Sequence, residues 1–442
     1  MPEIKDLTKQ MQELEEQLVT CMKCGMCQSV CPVFEQTHKE ADVARGKLVL
    51  LESLMNDIFD NPHGVNKRLN KCLLCGSCAA NCPSGVNVIE IFIKARAIIT
   101  GYLKLSFIKK IVFRKILAQP LVFDKIISMG SKVQNFLLTN RQQNTQTASI
   151  KFLSPLLKNR RIIPVADSFF QKSIDKLINH TNSTGANSNR PNSKSLRVAF
   201  FTGCLIDKIF PQVGIATAKS LLHHNMELFI PKNQGCCGIP ALAAGDTDTF
   251  LDLVKYNLQL FPADNFDYLV TSCATCTSTL KKFWPSMAHD LDPSLYDQVT
   301  SLAEKTLDIS QFLSKIAGLK KQKYINNKPQ KIVTYHDPCH LVKSLGVRKE
   351  PREVIHAASN YILKEMTDAD QCCGMGGSFN LYHYDISSKI GNIKKENIEA
   401  TGCQIIATSC PACMMQISDM LSKRKGSIEV KHPIELYAKG IK

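Results

Sequence analysis

The 442-residue chain lacks any apolar run long enough to cross a bilayer. Its charge-free stretches are interrupted by Gly and Pro and fall short of the roughly 18 apolar residues a membrane-spanning helix needs. The opening MPEIKDLTKQMQELEEQ mixes both signs of charge and lacks the basic-then-apolar layout of a secretory signal. A cytoplasmic, reducing location is therefore expected, which makes disulfides a poor explanation for the cysteines. Nucleotide fingerprints are missing too: CCGMGGS holds Gly374, Gly376 and Gly377 without the G-x-G-x-x-G spacing after a strand, and there is no P-loop. Flavin and nicotinamide sites are expected to be absent from this chain. Acid is scarce, 39 Asp+Glu against 55 Lys+Arg, for a formal charge of +16. With 44% hydrophobic and 21% charged residues, wholesale disorder is excluded.

What the chain has is cysteine, nineteen residues of it. Cys21, Cys24, Cys27 and Cys31 form C-x2-C-x2-C-x3-C-P, and Cys72, Cys75, Cys78 and Cys82 repeat the spacing, with Pro32 and Pro83 closing each run. Three thiolates on one tight turn reach three irons of a cubane, and a distant cysteine supplies the fourth. Two 4Fe-4S clusters are expected, one on Cys21, Cys24, Cys27 and Cys82, the other on Cys72, Cys75, Cys78 and Cys31. Zinc favours two Cys-x2-Cys or Cys/His pairs per ion, which is not this pattern.

The remaining pattern is a repeat. Cys204, Cys236, Cys237, Cys273 and Cys276 recur as Cys339, Cys372, Cys373, Cys410 and Cys413, at offsets of 135 to 137 residues. Each half reads Cys, then Cys-Cys-Gly, then Cys-x2-Cys. Candidate strands at Val198–Phe201, Glu227–Ile230, Tyr268–Thr271, Lys331–Tyr335 and Gln404–Thr408 precede most of these cysteines. Ligands bind at that carboxyl edge in open α/β sheets. An adjacent Cys-Cys pair within a five-thiol set implies a cofactor less regular than a cubane, and the following glycine permits close backbone approach.

Helical periodicity at Ile4, Leu7, Met11, Leu14 and Leu18 predicts an N-terminal amphipathic helix, and a second helix is expected from Ala41 to Ile58. The pattern stays helical, apolar and basic to about Leu138. HTNSTGANSNRPNSKS reads as a solvated linker. The expected organisation is a ferredoxin domain at 1–100, a helical basic connector at 101–180, a flexible linker at 181–195, and two repeated domains at 196–325 and 326–442. The fold class is thus α/β with an α-helical part. His336, Asp337 and His340 around Cys339 fit hydrogen bonding near a metal site better than catalysis. Cys403, outside every motif, reads as a buried thiol, and His432 as structural.

The double CCG motif behind a two-cluster ferredoxin resembles the family of glycolate oxidase iron-sulfur subunits and the fused heterodisulfide reductase catalytic subunit. Arg45-Gly46-Lys47 and Cys82-Pro83-Ser84-Gly85-Val86 look most like the glycolate/D-lactate oxidase iron-sulfur subunit. The resemblance implies one or two further, non-cubane clusters on the ten CCG cysteines. It also implies a partner: oxidising a 2-hydroxy acid removes a hydride and a proton, so an FAD-containing dehydrogenase subunit must do the chemistry while this chain carries single electrons to a quinone or membrane carrier. Those subunits can lack some CCG cysteines and this chain keeps all ten, as disulfide-reducing relatives do. A thiol/disulfide oxidoreductase is the alternative, and the small subunit of anaerobic glycerol-3-phosphate dehydrogenase has similar architecture.

The charge is regional. Lys94 to Lys172 holds 15 Lys+Arg against Asp124 and Asp167 alone, a local balance of +13. This segment is expected to be a connector or a peripheral contact with anionic lipid on the inner face of the membrane. No nucleic-acid partner is expected, because the cysteine spacing does not fit one.

Overall fold

A computed structural model describes residues 4–58, 61–142, 147–150, 160–174, 195–322, 329–422 and 428–441. It forms two compact units, and neither is one continuous stretch of chain. The first comprises Met1–Ala118, Gly238–Asp252 and Gln371–Lys394, and the second Gln119–Cys237, Leu253–Asp370 and Lys395–Lys442. The segment after each Cys-Cys-Gly therefore folds with the N-terminal residues, which cuts across the expected boundaries at 100, 196 and 326. Most of the linker at 181–195 lies outside the described residues.

In the first unit the N-terminal helices bury Leu7, Met11, Leu14 and Leu18, as their spacing predicts. The helix expected from Ala41 to Ile58 is shorter, Ala44–Met55, because a tight turn at Glu40–Asp42 precedes it. Its inward stripe is Ala44, Lys47, Leu48, Leu51, Leu54 and Met55, so one lysine stands in an otherwise apolar row. Each cysteine motif loop then winds the same way. Lys23 (φ 57°) and Gly25 (φ 88°) flank Cys24, and Leu74 (φ 53°) and Gly76 (φ 75°) flank Cys75. Two left-handed residues around one cysteine turn the backbone about it, and only the glycine does so without steric cost.

The helix Val88–Leu103 carries Arg96 on its buried face. The guanidinium donates to the carbonyl of Cys72 (3.1 Å) and to that of Ala243 (2.8 Å), and it also reaches the carbonyl of Leu69 (2.5 Å). Thr100 adds a bond to the Ala244 carbonyl at 3.2 Å. These bonds tie the first inserted segment to the motif loop. The second is held by an apolar cluster of Val33, Leu73, Cys372, Phe379 and Ile390, against which Cys31 and Cys75 pack.

The second unit contains two four-stranded parallel sheets. A short antiparallel pair, β1 (Leu138–Gln142) and β2 (Thr147–Ile150), precedes them. The connector expected to be helical over 101–180 is helical to Leu137, extended at Leu138–Gln142 and Thr147–Ile150, and helical again over 170–174 among the described residues. The β-branched Thr147 and Ile150 at the two ends of Thr147–Ile150 favour extended backbone there. The first sheet has β3 (Arg197–Phe200), β4 (Glu227–Phe229), β5 (Tyr268–Thr271) and β6 (Thr306–Asp308) in the order β4-β3-β5-β6. The second has β7 (Lys331–Tyr335), β8 (Tyr361–Leu363), β9 (Ile405–Ala407) and β10 (Glu429–Lys431) in the order β10-β9-β7-β8. Reading the second list backwards gives the first, so the cysteine repeat is a repeat of fold. The α/β class with a helical N-terminal part describes the chain.

Candidate metal centres

None of the nineteen cysteines is in a disulfide. In the first unit, Cys31 leaves its own motif and lines one cavity with Cys72, Cys75 and Cys78, together with Pro32, Val33, Lys47, Leu73 and Phe92. Burial pushes the Cys31 thiol up to about 11 and raises that of Cys78 well above its ordinary value. Thiols so placed ionise when a metal compensates the charge. Cys31 also caps the helix Pro32–Thr37, its sulfur accepting from Phe34 N–H at 3.5 Å. Cys21, Cys27 and Cys82 are half-buried, as are the four cavity cysteines, and Cys24 is exposed, so it is at Cys24 that the other set reaches the surface. Burial raises the Cys27 thiol, and the Arg45 side chain bonds the Lys23 carbonyl beside it.

In the second unit, the first CCG set converges at the carboxyl edge of its sheet. Cys204 follows β3 and lies 4.0 Å from Cys236, sulfur to sulfur. Hydrogen bonds from Cys204 and Cys237, with burial, push the Cys236 thiol up; bonds with Cys237 and Cys273, with burial, do the same at Cys276. All five thiols thus form one connected group. Backbone anchors hold the adjacent pair in place. Asn257 Nδ2 donates to the Cys236 carbonyl (3.0 Å) while its Oδ1 accepts from Gly235 N–H (3.0 Å), and Trp284 Nε1 donates to the Cys237 carbonyl (3.0 Å). Gly203, at φ +66°, is where the loop comes closest: a Cβ there would stand 2.9 Å from the sulfur of Cys276.

The glycine of each CCG has a different task from the one its sequence suggested. Gly238 and Gly374 sit at φ +88° and +90°, and an added Cβ would meet the Phe250 ring or the Ser387 carbonyl at 2.6 Å. The residue is required by handedness and by packing on its protein side.

Of the second CCG set, Cys410 and Cys413 lie with the first-set thiols, and hydrogen bonds from Cys273 and Cys413 pull the Cys410 thiol well below its ordinary value. Cys339 opens the helix Cys339–Leu345, which packs on Ala274–Ser278 through Ser278 and Ser344 (2.8 Å). Cys372 and Cys373 are buried in the first unit. His340 Nδ1 lies 3.2 Å from Thr275 Oγ1, itself 3.5 Å from Cys410. His336 bonds the Ala369 carbonyl at 3.1 Å, and Asp337 is clamped by Arg352 at 2.9 Å through both oxygens. Cys403 is buried against the Ile398 carbonyl at 3.8 Å. His432 is fully buried and caps the last helix, Pro433–Ala438. Sequence reading missed Arg96, Asn257 and Trp284, and it picked out Lys47 only as part of Arg45-Gly46-Lys47, not as a residue of the cavity; Lys47 and Arg96 carried a signal, a cation at helical spacing within an apolar row.

Comparison with known proteins agrees with this layout. A 4Fe-4S dicluster domain model matches residues 17–86, and a cysteine-rich (CCG) domain model matches 198–281 and 333–418. Lactate utilization protein A 2 of Bacillus cereus (strain AH820) is 30% identical over 246 residues, 56% of this chain and 99% of that protein. The probable glycolate oxidase iron-sulfur subunit of Bacillus subtilis is 29% identical over 98% of this chain and 97% of its own. The chain belongs to the iron-sulfur protein family that includes lactate utilization protein A and the glycolate oxidase iron-sulfur subunit. A subunit of the fumarate reductase (CoM/CoB) of Methanothermobacter marburgensis is also similar, 29% identical over 94% of this chain and 71% of its own. As a member of this family, the chain is an oxidoreductase-type electron-transfer subunit that carries several iron-sulfur clusters. Among the described residues no helix is long and apolar enough to cross a membrane.

Proposed function

We propose that this chain carries electrons for a 2-hydroxy-acid-oxidising complex. A partner flavoprotein takes two electrons and two protons from glycolate or D-lactate, leaving the 2-oxo acid, and the electrons pass singly through this chain to a quinone or membrane carrier. The observation that carries the reading is the cavity in which Cys31 of one motif joins Cys72, Cys75 and Cys78 of the other. Four soft donors in a compact apolar setting fit a 4Fe-4S cluster, which supplies one-electron transfer when bound. By the same motif logic Cys21, Cys24, Cys27 and Cys82 hold the second cluster. Cys204, Cys236, Cys237, Cys273 and Cys276, and their repeats Cys339, Cys372, Cys373, Cys410 and Cys413, hold the CCG cofactors. Cys372 packing beside Cys31 and Cys75 supports exchange between a CCG site and the inner ferredoxin site.

The chain's own residues shape these sites. Asn257 and Trp284 fix the two carbonyls of the Cys-Cys pair, Gly203 leaves room for the Cys276 sulfur, and Val33, Leu73 and Phe379 keep water from the inner site.

The same reading includes a peripheral membrane contact through the helix Pro120–Leu137. Leu121 (65% exposed), Val122, Ile126, Met129 (61%) and Val133 form an outward apolar stripe, with Lys125 and Lys132 exposed beside it. A second reading, reduction of a disulfide at the CCG cysteines, is favoured by retention of all ten and by the similarity to the fumarate reductase (CoM/CoB) protein. Affinity purification from the native host under anaerobic conditions separates the two. A co-purifying FAD protein through which glycolate or D-lactate reduces the clusters supports the first. Disulfide reduction by the isolated chain with an artificial donor supports the second.

A further inference from the structure

Lys47 lines the cavity of Cys31, Cys72, Cys75 and Cys78, Arg96 is anchored behind it on the Cys72 carbonyl, and neither has an ion-pair partner of its own among the described residues. Lys47 is 2% exposed and Arg96 3%. Lys47 lines the cavity, and its only hydrogen-bond acceptor among the described residues is the Asp42 carbonyl. Asp42 lines the same cavity, but its one carboxylate is shared with Arg68 at 3.0 Å and Lys71 at 3.7 Å, so it faces three cations there. Arg96 bonds three backbone carbonyls, including that of Cys72, and carbonyls do not neutralise a charge. Buried positive charge that a single shared carboxylate does not offset is strongly unfavourable, so an anion is favoured there. Four thiolates around a cubane carry about −2 in total, and adding one electron takes this to about −3. The cavity is where that anion fits.

We propose that Lys47, supported by Arg96, is a positioning residue that sets the reduction potential of the inner ferredoxin site. Burial alone opposes the extra negative charge of the reduced state, and a fixed ammonium at the wall favours it. Among the described residues the outer motif has no such buried cation: Lys23 and Arg45 beside it are partly exposed and paired with Glu52 and Glu40. Lys47 therefore makes the inner site the more readily reduced of the two. The proposal rests on a cluster being held by Cys31, Cys72, Cys75 and Cys78.

The test is a dithionite titration of the anaerobically prepared full chain, followed by EPR, for the wild type, Lys47→Met and Lys47→Arg. Cys24→Ser marks the wave of the outer site. In Lys47→Met the inner wave is expected to fall by at least a tenfold change in its reduction equilibrium, 59 mV for one electron. The outer wave stays in place, and Lys47→Arg restores the inner one. Unmoved waves, or an equal shift in Lys47→Arg, would overturn the proposal. Loss of about four irons in Lys47→Met would also overturn it, since the residue would then build the site rather than tune it. If Lys47→Met is insoluble, Lys47→Gln replaces it with the same expectations. A wild type without two cluster waves contradicts the cluster assignment instead.

Discussion

Cys273 and Cys410 are equivalent positions of the two repeats, and their thiols hydrogen-bond each other. Each caps a helix with the same backbone, φ −137° with ψ 108° or 113°, and Ala274 N–H donates to the Ser409 carbonyl at 2.9 Å. Two C-x2-C turns thus meet across a local pseudo-symmetry. Replacing Cys273 with Ser is expected to remove iron from the first CCG site and to alter the spectrum of whatever Cys410 and Cys413 hold. Iron analysis with Mössbauer spectroscopy checks this, and a change confined to one CCG signal would count against the coupling.

Gly203→Ala should be unusually damaging for so small a change. Its φ of +66° costs an L-residue about 1–2 kcal/mol, and the new methyl would press on the Cys276 sulfur at 2.9 Å. The expected outcome is lost CCG iron with the ferredoxin-type EPR signals kept. Full iron content in the variant would show that the approach has no role in holding the site.

Cys31→Ser tests the exchange of ligands between motifs. It should affect the site of Cys72, Cys75 and Cys78, so the combination Cys31→Ser with Cys75→Ser should cost no more iron than Cys75→Ser alone, about four atoms. A loss of about eight would mean that Cys31 serves its own motif.

The cysteine spacings were readable because a cubane's ligand turn is local: seven or eight consecutive residues specify it. The repeat was readable because both sheets share one strand order. Thr306–Asp308, Tyr361–Leu363 and Glu429–Lys431 escaped notice because three residues give too little alternation to mark a strand; the equally short Glu227–Phe229 is extended by Ile230 and Ile405–Ala407 is wholly apolar. Nor could the folding of 238–252 and 371–394 with the N-terminal unit be read. It depends on partners far away in sequence, such as Arg96 with Ala243 and Leu73 with Phe379.

Asp308 gives the fold a pH dependence. Its Oδ1 accepts from Ser310 N–H at 2.8 Å, its Oδ2 has no partner among the described residues, and burial pushes the carboxyl up to about 7. Because the folded value lies above the unfolded one of about 4, the stabilising contribution is complete below about pH 4 and is lost as pH rises through about 7. Asp308→Asn keeps the cap and removes the ionisation. Its thermal midpoint relative to wild type should rise between pH 5 and pH 8, by an amount equivalent to a few kcal/mol. A pH-independent difference would contradict the assignment.

The outward stripe on Pro120–Leu137 predicts lipid binding. Sedimentation with phosphatidylglycerol vesicles should pull down the full chain, phosphatidylcholine vesicles much less, and salt should weaken the first. Lys125→Glu with Lys132→Glu should cut binding severalfold. Equal binding to both vesicle types, or none, would remove the membrane contact from the account.

On the proposed function, electrons enter this chain from a flavoprotein working on a 2-hydroxy acid. The most direct measurement mixes the anaerobic iron-loaded chain with its co-purifying FAD protein, adds glycolate or D-lactate, and follows cluster reduction by EPR. Signals should appear only when chain, flavoprotein and hydroxy acid are all present. Clusters that stay oxidised in that mixture, while the isolated chain reduces a disulfide from an artificial donor, would contradict it.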